Sequence, residues 1–263
     1  MLASDAAWSA EPKSKDIILA TTTSTVDSGL LDLLIPVFEK KTGYRVKTIA
    51  VGTGQALAMG EKGEADVLLV HAPQAEKKLV DANVVTDYKL VMHNDFVIVG
   101  PAGDTAGING KPSAEAFGAI AGKGVVFISR GDDSGTHKME LSLWKKAQIT
   151  PSGNKWYQET GQGMGATVQM ASDKQGYTLT DRATFLALKS KIALAILSQG
   201  DAALLNIYHV MGVNQEKFSK VNAEGARAFV EFMVNPETQK LIGEFGKDKF
   251  GESLFFPDAG KQM

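Results

Sequence analysis

The sequence predicts an α/β protein, and three observations carry that reading. Short apolar runs alternate with stretches whose apolar residues recur at helical spacing, in the order strand, helix, strand, helix, strand from Asp16 to Val70. Val67–Val70 is apolar at every position, the pattern of a strand covered on both faces. Several runs end in glycine and small hydroxyl residues just before a helix, as strand-to-helix loops do.

Taken in order, Asp16–Ala20 is an apolar run that ends in the polar loop Thr21-Thr22-Thr23-Ser24. Leu30, Leu31, Leu34, Val37 and Phe38 then repeat at helical spacing, and Thr42-Gly43 stops that helix. Arg45–Val51 reads as a strand ending in Gly52-Thr53-Gly54, with a helix from Gln55 to about Lys62. Val67–Val70 is a buried strand, and Glu76–Asp81 opens a further short helix. Asp95–Val99 is an apolar strand closed by Gly100-Pro101, followed by a stretch rich in Gly and Ala where the chain is expected to cross into a second domain. Val125–Ser129 is again a strand, and the polar loop Arg130–Thr136 leads into a helix around Lys138–Ala147. Thr184–Leu188 and Ile192–Leu197 continue the alternation, and Ile207–Val213 reads as a return strand. Ala223–Val234 and Pro236–Phe245 read as two amphipathic helices.

Composition narrows the function classes. A chain of 263 residues makes one to two domains. Its 28 Lys and Arg against 30 Asp and Glu give a formal charge of −2, without the basic excess of a nucleic-acid binder. The longest interior apolar run, Ile192–Leu197, is far short of the ~18 residues that span a bilayer, so no membrane insertion is expected. Cysteine is absent, which removes disulfides, thiolate metal sites and cysteine nucleophiles. Met1–Lys15 lacks apolar periodicity, as well as the basic and apolar regions of a secretory signal. It is expected to be a flexible segment. A cytoplasmic protein with a frayed start and an exported protein whose signal has been removed both fit it.

The loops carry the chemistry. Thr21–Thr25, Gly52–Gln55 and Ser129–Thr136 all join a strand to a helix and all hold small hydroxyls, glycine or both. In a parallel sheet such loops gather at the carboxyl ends of the strands, where ligands bind. Helix N-termini there present unpaired N–H groups and the positive end of a dipole, and Arg130 adds a fixed charge. Together they describe an oxyanion pocket built mainly from neutral donors. Singly, each has a plainer reading: Ser or Thr at such a junction is most often a cap, and glycine marks turns everywhere.

Other chemistries fit less well. Gly52-Thr53-Gly54 is not a dinucleotide fingerprint, since its sixth position is Leu57, and Gly161, Gly163 and Gly165 have the wrong spacing. Gly122-Lys123-Gly124 fails as a phosphate loop, and no Gly-x-Ser-x-Gly elbow is present. The four histidines, His71, His93, His137 and His209, are scattered; each reads first as a packed or capping residue, with a supporting role beside the loops open to His71 and His137. Asp132-Asp133 reads as a solvated or Arg-orienting pair, and Trp144, Trp156 and Tyr157 as packing residues. Nothing demands catalysis or a cofactor.

The segments Thr21–Ser24, Val51–Leu57, Ala65–Pro73, Asn94–Pro101, Ser129–His137, Tyr177–Arg182 and Leu254–Ala259 together resemble the tungstate-binding proteins of tungstate ABC importers. The resemblance runs in order from about Asp16 to Gly260; Ser-Gly-Thr after an Arg-containing loop is also similar to phosphate-binding periplasmic proteins. It implies a type II periplasmic-binding fold, two α/β lobes joined by two crossing strands with the ligand in the cleft between them. The lobes would be residues 16–99 with 207–263, and residues 100–206. Carried over by motif, the first lobe would donate from Thr23, Ser24, Thr53 and Gly54, and the second from Arg130, Ser134, Gly135, Thr136 and Thr180. The implied protein is a monomeric, periplasmic or extracytoplasmic, non-enzymatic receptor that binds tungstate or molybdate without a cofactor and delivers it to an ABC permease. The alternatives are a phosphate- or sulfate-type receptor, and an enzyme acting on a small anion through His137 and Asp133.

Overall fold

The computed structural model describes residues 14–261; residues 1–13, most of the expected flexible segment, lie outside them. The chain opens with β1 (Asp16–Thr22), the short helix α1 (Thr23–Asp27) and α2 (Leu30–Thr42). Leu30, Leu31, Leu34 and Phe38 are the buried face of α2, and Gly43 ends it in the left-handed conformation, φ 76°, that glycine adopts without strain. Next come β2 (Arg45–Val51), α3 (Thr53–Glu61), β3 (Val67–Val70) and α4 (Pro73–Asp81). Strand β1 lies between β2 and β3 and runs parallel to both, with Ala20 opposite Ile49 on one side and Leu68 on the other. The expected parallel start is therefore present.

β4 (Val85–Pro101) is much longer than the apolar run Asp95–Val99 that announces it. It is followed by α5 (Ser113–Lys123), β5 (Phe127–Ser129), α6 (Gly135–Lys146), β6 (Tyr157–Glu159), α7 (Met164–Asp173), β7 (Thr178–Asp181), α8 (Arg182–Leu188) and β8 (Leu194–Ser198). The chain returns through β9 (Leu205–Val213), then α9 (Ala223–Val234), α10 (Pro236–Glu244), α11 (Lys247–Phe250) and β10 (Phe256–Pro257).

The first lobe's sheet has the order β10-β4-β9-β3-β1-β2, with β9 antiparallel to both of its neighbours. β4 belongs to both lobes. As far as Asp95 it pairs with β9; from Phe96 onward it pairs with β7 and β8. The change of partner at Asp95–Phe96 falls a little before Gly100. Each lobe buries a core on both faces of its strands. In the first, Phe38 of α2 meets Phe229 and Phe232 of α9 edge-on, at 5.1 and 5.3 Å between ring centres, while Ala56, Leu57 and Leu79 of α3 and α4 cover the other face. In the second, Phe117, Phe127, Trp144, Tyr157 and Tyr177 form one cluster, and Val97, Val168 and Phe185 belong to the other. Trp144 and Tyr157 are thus packing residues; Trp156 is partly buried against the same cluster. This is the type II periplasmic-binding fold. Among the described residues no helix is long and apolar enough to cross a membrane.

Candidate functional site

The first lobe contributes two helix starts. Thr21 and Thr22 finish β1 rather than forming a loop, and Thr23 already begins α1. Thr22 caps that helix, its Oγ1 accepting from the Thr25 N–H at 3.3 Å. The same oxygen lies 2.7 Å from Thr25 Oγ1, 3.2 Å from Ser24 Oγ and 3.0 Å from His71 Nε2. After β2, Gly52 occupies the N-cap position, and Thr53 and Gly54 are the first two residues of α3, so the helix starts before Gln55. First-turn N–H groups have no partner within a helix and are free to meet a ligand. Thr53 is fully buried, and its hydroxyl has no hydrogen-bond partner.

The second lobe contributes Arg130 and the start of α6. Arg130 follows β5 and is only 3% exposed, and it is paired with Asp132, whose Oδ2 accepts from Nε at 3.0 Å and Nη2 at 2.5 Å. Burial pushes the Asp132 carboxyl up, but bonds from Ser134 and the Arg130 guanidinium outweigh it and hold the group below its usual value. Ser134 caps α6, accepting from the His137 N–H at 3.2 Å, so the helix begins at Gly135 and not near Lys138. Asp133 pairs with Lys138 at 2.5 Å, and its N–H donates to His137 Nδ1 at 3.1 Å. His137 is therefore tied to the loop backbone through Nδ1.

A cleft of about 360 Å³ separates these groups. Thr23, Gly52, Gly54 and Gln55 line it from the first lobe; Arg130, Asp132, Asp133, Gly161, Gln162 and Gly163 line it from the second. The lobes also touch beside it. A Cβ on Gly54 would stand 3.1 Å from Asp133 Oδ2, and one on Gly135 would stand 3.0 Å from Thr53 Oγ1 and 2.6 Å from His71 Cε1.

Of the residues singled out in the sequence, Thr23, Gly54 and Arg130 line the cleft directly. Thr53 and Gly135 meet at the seam, and Ser24 sits beside His71, 3.5 Å from its Nε2. Ser134 and Thr136 lie buried at the start of α6. Thr180 is elsewhere: it is buried in β7 and donates to the Asp181 carbonyl at 3.1 Å. The residues that sequence reasoning missed are Gln55, Gln162, Gly161 and Gly163. The glycine cluster was visible, but its spacing excluded only a dinucleotide loop and did not reveal that α7 begins just after it.

The electrostatics suit an anion. Burial raises the carboxyls of Asp27 and Asp181; the Arg130 charge opposes it at Asp27 and, after the bonds from Thr184, at Asp181, and both stay raised. His71 is lowered to about 4, chiefly by burial and against the pull of Glu76, so the ring is neutral at pH 7. Among the described residues no cluster of three or more His, Cys, Asp or Glu could hold a metal ion. The cleft offers the buried Arg130 guanidinium, the Thr23 hydroxyl and nearby helix N-termini as hydrogen-bond donors, beside the Asp132 and Asp133 carboxylates, which are paired with Arg130 and Lys138.

Comparison with known proteins agrees. Residues 8–237 match the PBP superfamily domain. The tungstate-binding protein TupA of Peptoclostridium acidaminophilum is 51% identical over 248 residues, 93% of this chain and 86% of that protein. The structure of the tungstate-binding protein TupA from Desulfovibrio alaskensis superposes with a TM-score of 0.82 at 49% identity, covering 94% of this chain and all of that one. A structure described as the tungstate ABC transporter from Geobacter sulfurreducens gives 0.80 at 50% identity, covering 88% of this chain and 99% of that one. The fold, the interlobe cleft and these identities converge: the chain belongs to the PBP superfamily and, within it, to the family of the tungstate-binding protein TupA.

Proposed function

We propose that this chain is the extracytoplasmic receptor of an ABC importer, binding tungstate between its lobes and passing it to the permease. It acts as a monomer, without a cofactor and without catalysing a reaction on its ligand. The observation that carries this reading is the buried Arg130, held in the cleft opposite the start of α3 and close to that of α6. A buried dianion loses its hydration and must be coordinated on all sides, and each hydrogen bond to a charged group returns roughly 1.5–3 kcal/mol. Thr23, Gly54 and Arg130 face that ligand, with Ser24, Thr53, Ser134, Gly135 and Thr136 around them.

The protonation of the anion separates the two receptor classes. Hydrogenphosphate would need an acceptor for its proton, which Asp132 or Asp133 at the cleft wall could supply; Asp132 already accepts from Arg130 and Ser134, while Asp133 pairs with Lys138 through Oδ1 alone. Tungstate and molybdate carry no proton at neutral pH and need only donors. Molybdate is the second ligand, since the two anions differ in size by fractions of an ångström.

A thermal-shift panel with tungstate, molybdate, sulfate and phosphate tests the proposal. Ligand at a thousand times its Kd adds about 4 kcal/mol, which raises Tm by about 8 °C or more in a chain of this length. Arg130→Gln should weaken tungstate binding by at least ~1.5 kcal/mol in calorimetry, through loss of a charge-assisted bond. A shift with phosphate and none with tungstate would move the protein to a phosphate receptor. No shift with any anion would overturn the receptor reading.

A further inference from the structure

We propose that His71 is a direct ligand donor: its Nδ1–H bonds one oxygen of the bound oxyanion in a notch shared with Thr53 and Gly135. The inference rests on the reading of the cleft as an oxyanion site and adds a residue to it. Four buried side-chain atoms among the described residues have no hydrogen-bond partner, and such orphans are rare in folded proteins. Besides His137 Nε2 and His209 Nδ1 they are Thr53 Oγ1 and His71 Nδ1. The last two mark the same point, because the position a Cβ would take on Gly135 is 3.0 Å from each.

Gly135 leaves that point empty for spatial reasons. It is not among the glycines with positive φ, so its backbone does not require glycine; the closeness of His71 and Thr53 does. It is also the first residue of α6, a helix of 12 residues, whose N–H has no partner within the helix. An anion oxygen taken up between Gly135, Thr53 and His71 as the lobes close would accept from the Thr53 hydroxyl, the Gly135 N–H and the His71 ring.

The ring proton is assigned to Nδ1, facing the notch. Thr22 Oγ1 lies 3.0 Å from His71 Nε2, accepts from the Thr25 N–H and lies 2.7 Å from Thr25 Oγ1. With the Thr25 hydroxyl donating to Thr22, the Thr22 hydroxyl proton goes to Nε2 and the ring keeps its own proton on Nδ1. Tyr208 packs on the ring at 4.7 Å between centres and fixes its plane. Burial keeps the ring neutral, so it gives a hydrogen bond without adding a second cation to the pocket.

The test uses full-length protein and two substitutions. The amide nitrogen of Asn takes the place of Nδ1, and that of Gln the place of Nε2. His71→Gln should weaken tungstate binding about tenfold or more, the value of one donor to a charged group, while His71→Asn should stay nearer to wild type. Ring nitrogen NMR of wild type labelled at histidine should show His71 neutral with its proton on Nδ1, and tungstate should move the Nδ1 signal. This second measurement holds even if a variant fails to fold. A proton on Nε2, or an Nδ1 signal unmoved by tungstate that does bind, overturns the role of His71 alone. Wild type that binds no oxyanion overturns the reading of the cleft instead.

Discussion

Two buried side chains give this protein opposite responses to pH. His71 is held neutral down to about 4, mainly by burial, whereas its usual value is 6.5. Between those values the unfolded chain takes up a proton that the fold refuses, so stability falls as pH drops through that window, by about 3 kcal/mol in full. Glu140 is pushed up to about 7 by burial, against bonds from Ser129, from the Tyr157 hydroxyl at 2.7 Å and from the Trp144 indole at 3.0 Å. Here the fold keeps a proton that the unfolded chain releases from 4.5 upward, so stability falls as pH rises toward 7, again by about 3 kcal/mol. The two slopes offset each other in wild type. Glu140→Gln removes one of them and should be more stable than wild type at pH 8, with a smaller gain at pH 5, in denaturant titrations at the two pH values. A gain that does not change with pH would show that Glu140 is ionised in the fold. Neither slope is legible in the sequence, because both depend on burial. Arg130 was legible, since an Arg in a polar strand-to-helix loop has few structural duties.

Elements were legible where their period was clean. The strands from Asp16 to Val70 and the helices after Ala223 announce themselves through unbroken apolar spacing. α5 and α7 do not, since Ser113–Lys123 and Met164–Asp173 are rich in Ala and Gly, which give little contrast between faces. The first half of β4 is hidden for another reason. Thr86, Asp87 and Lys89 are exposed, and its register against β9 shifts between Thr86 and Lys89 and again after Leu90, so no strict alternation survives. Further along β4, Gly100 allows a close approach: a Cβ there would lie 2.5 Å from the Tyr177 ring and 2.9 Å from Leu197. Gly100→Ala should therefore cost about 1–3 kcal/mol by overpacking the second lobe. Urea unfolding checks this, and an unchanged midpoint would mean that Tyr177 moves aside freely. The cleft was legible in part: its hydroxyl and glycine loops follow recognisable strands, while Gly161–Gly163 precedes a helix that the pattern did not reveal.

At the scale of the molecule, the two lobes share few backbone connections. One is β4, where it changes partners; the other is the short stretch between β8 and β9. At the crossing Asn206 donates to Asn94 at 2.7 Å, a buried pair between the two strands. Hinge motion there would close the lobes on the anion. Small-angle scattering should show a smaller radius of gyration with saturating tungstate than without it, and an unchanged radius would mean that the lobes do not move. The interleaved strand order has a second consequence, for the way the chain becomes a protein. Val70 of β3 pairs with His209 of β9, so the first lobe draws its sheet from both ends of the chain, while the strands of the second lobe come from one continuous stretch. As synthesis proceeds, the second lobe has all its parts first, and the edge of β3 waits unpaired until β9 has been made. Folding of the first lobe is thereby postponed to the end of translation, after the second lobe has had all its strands available.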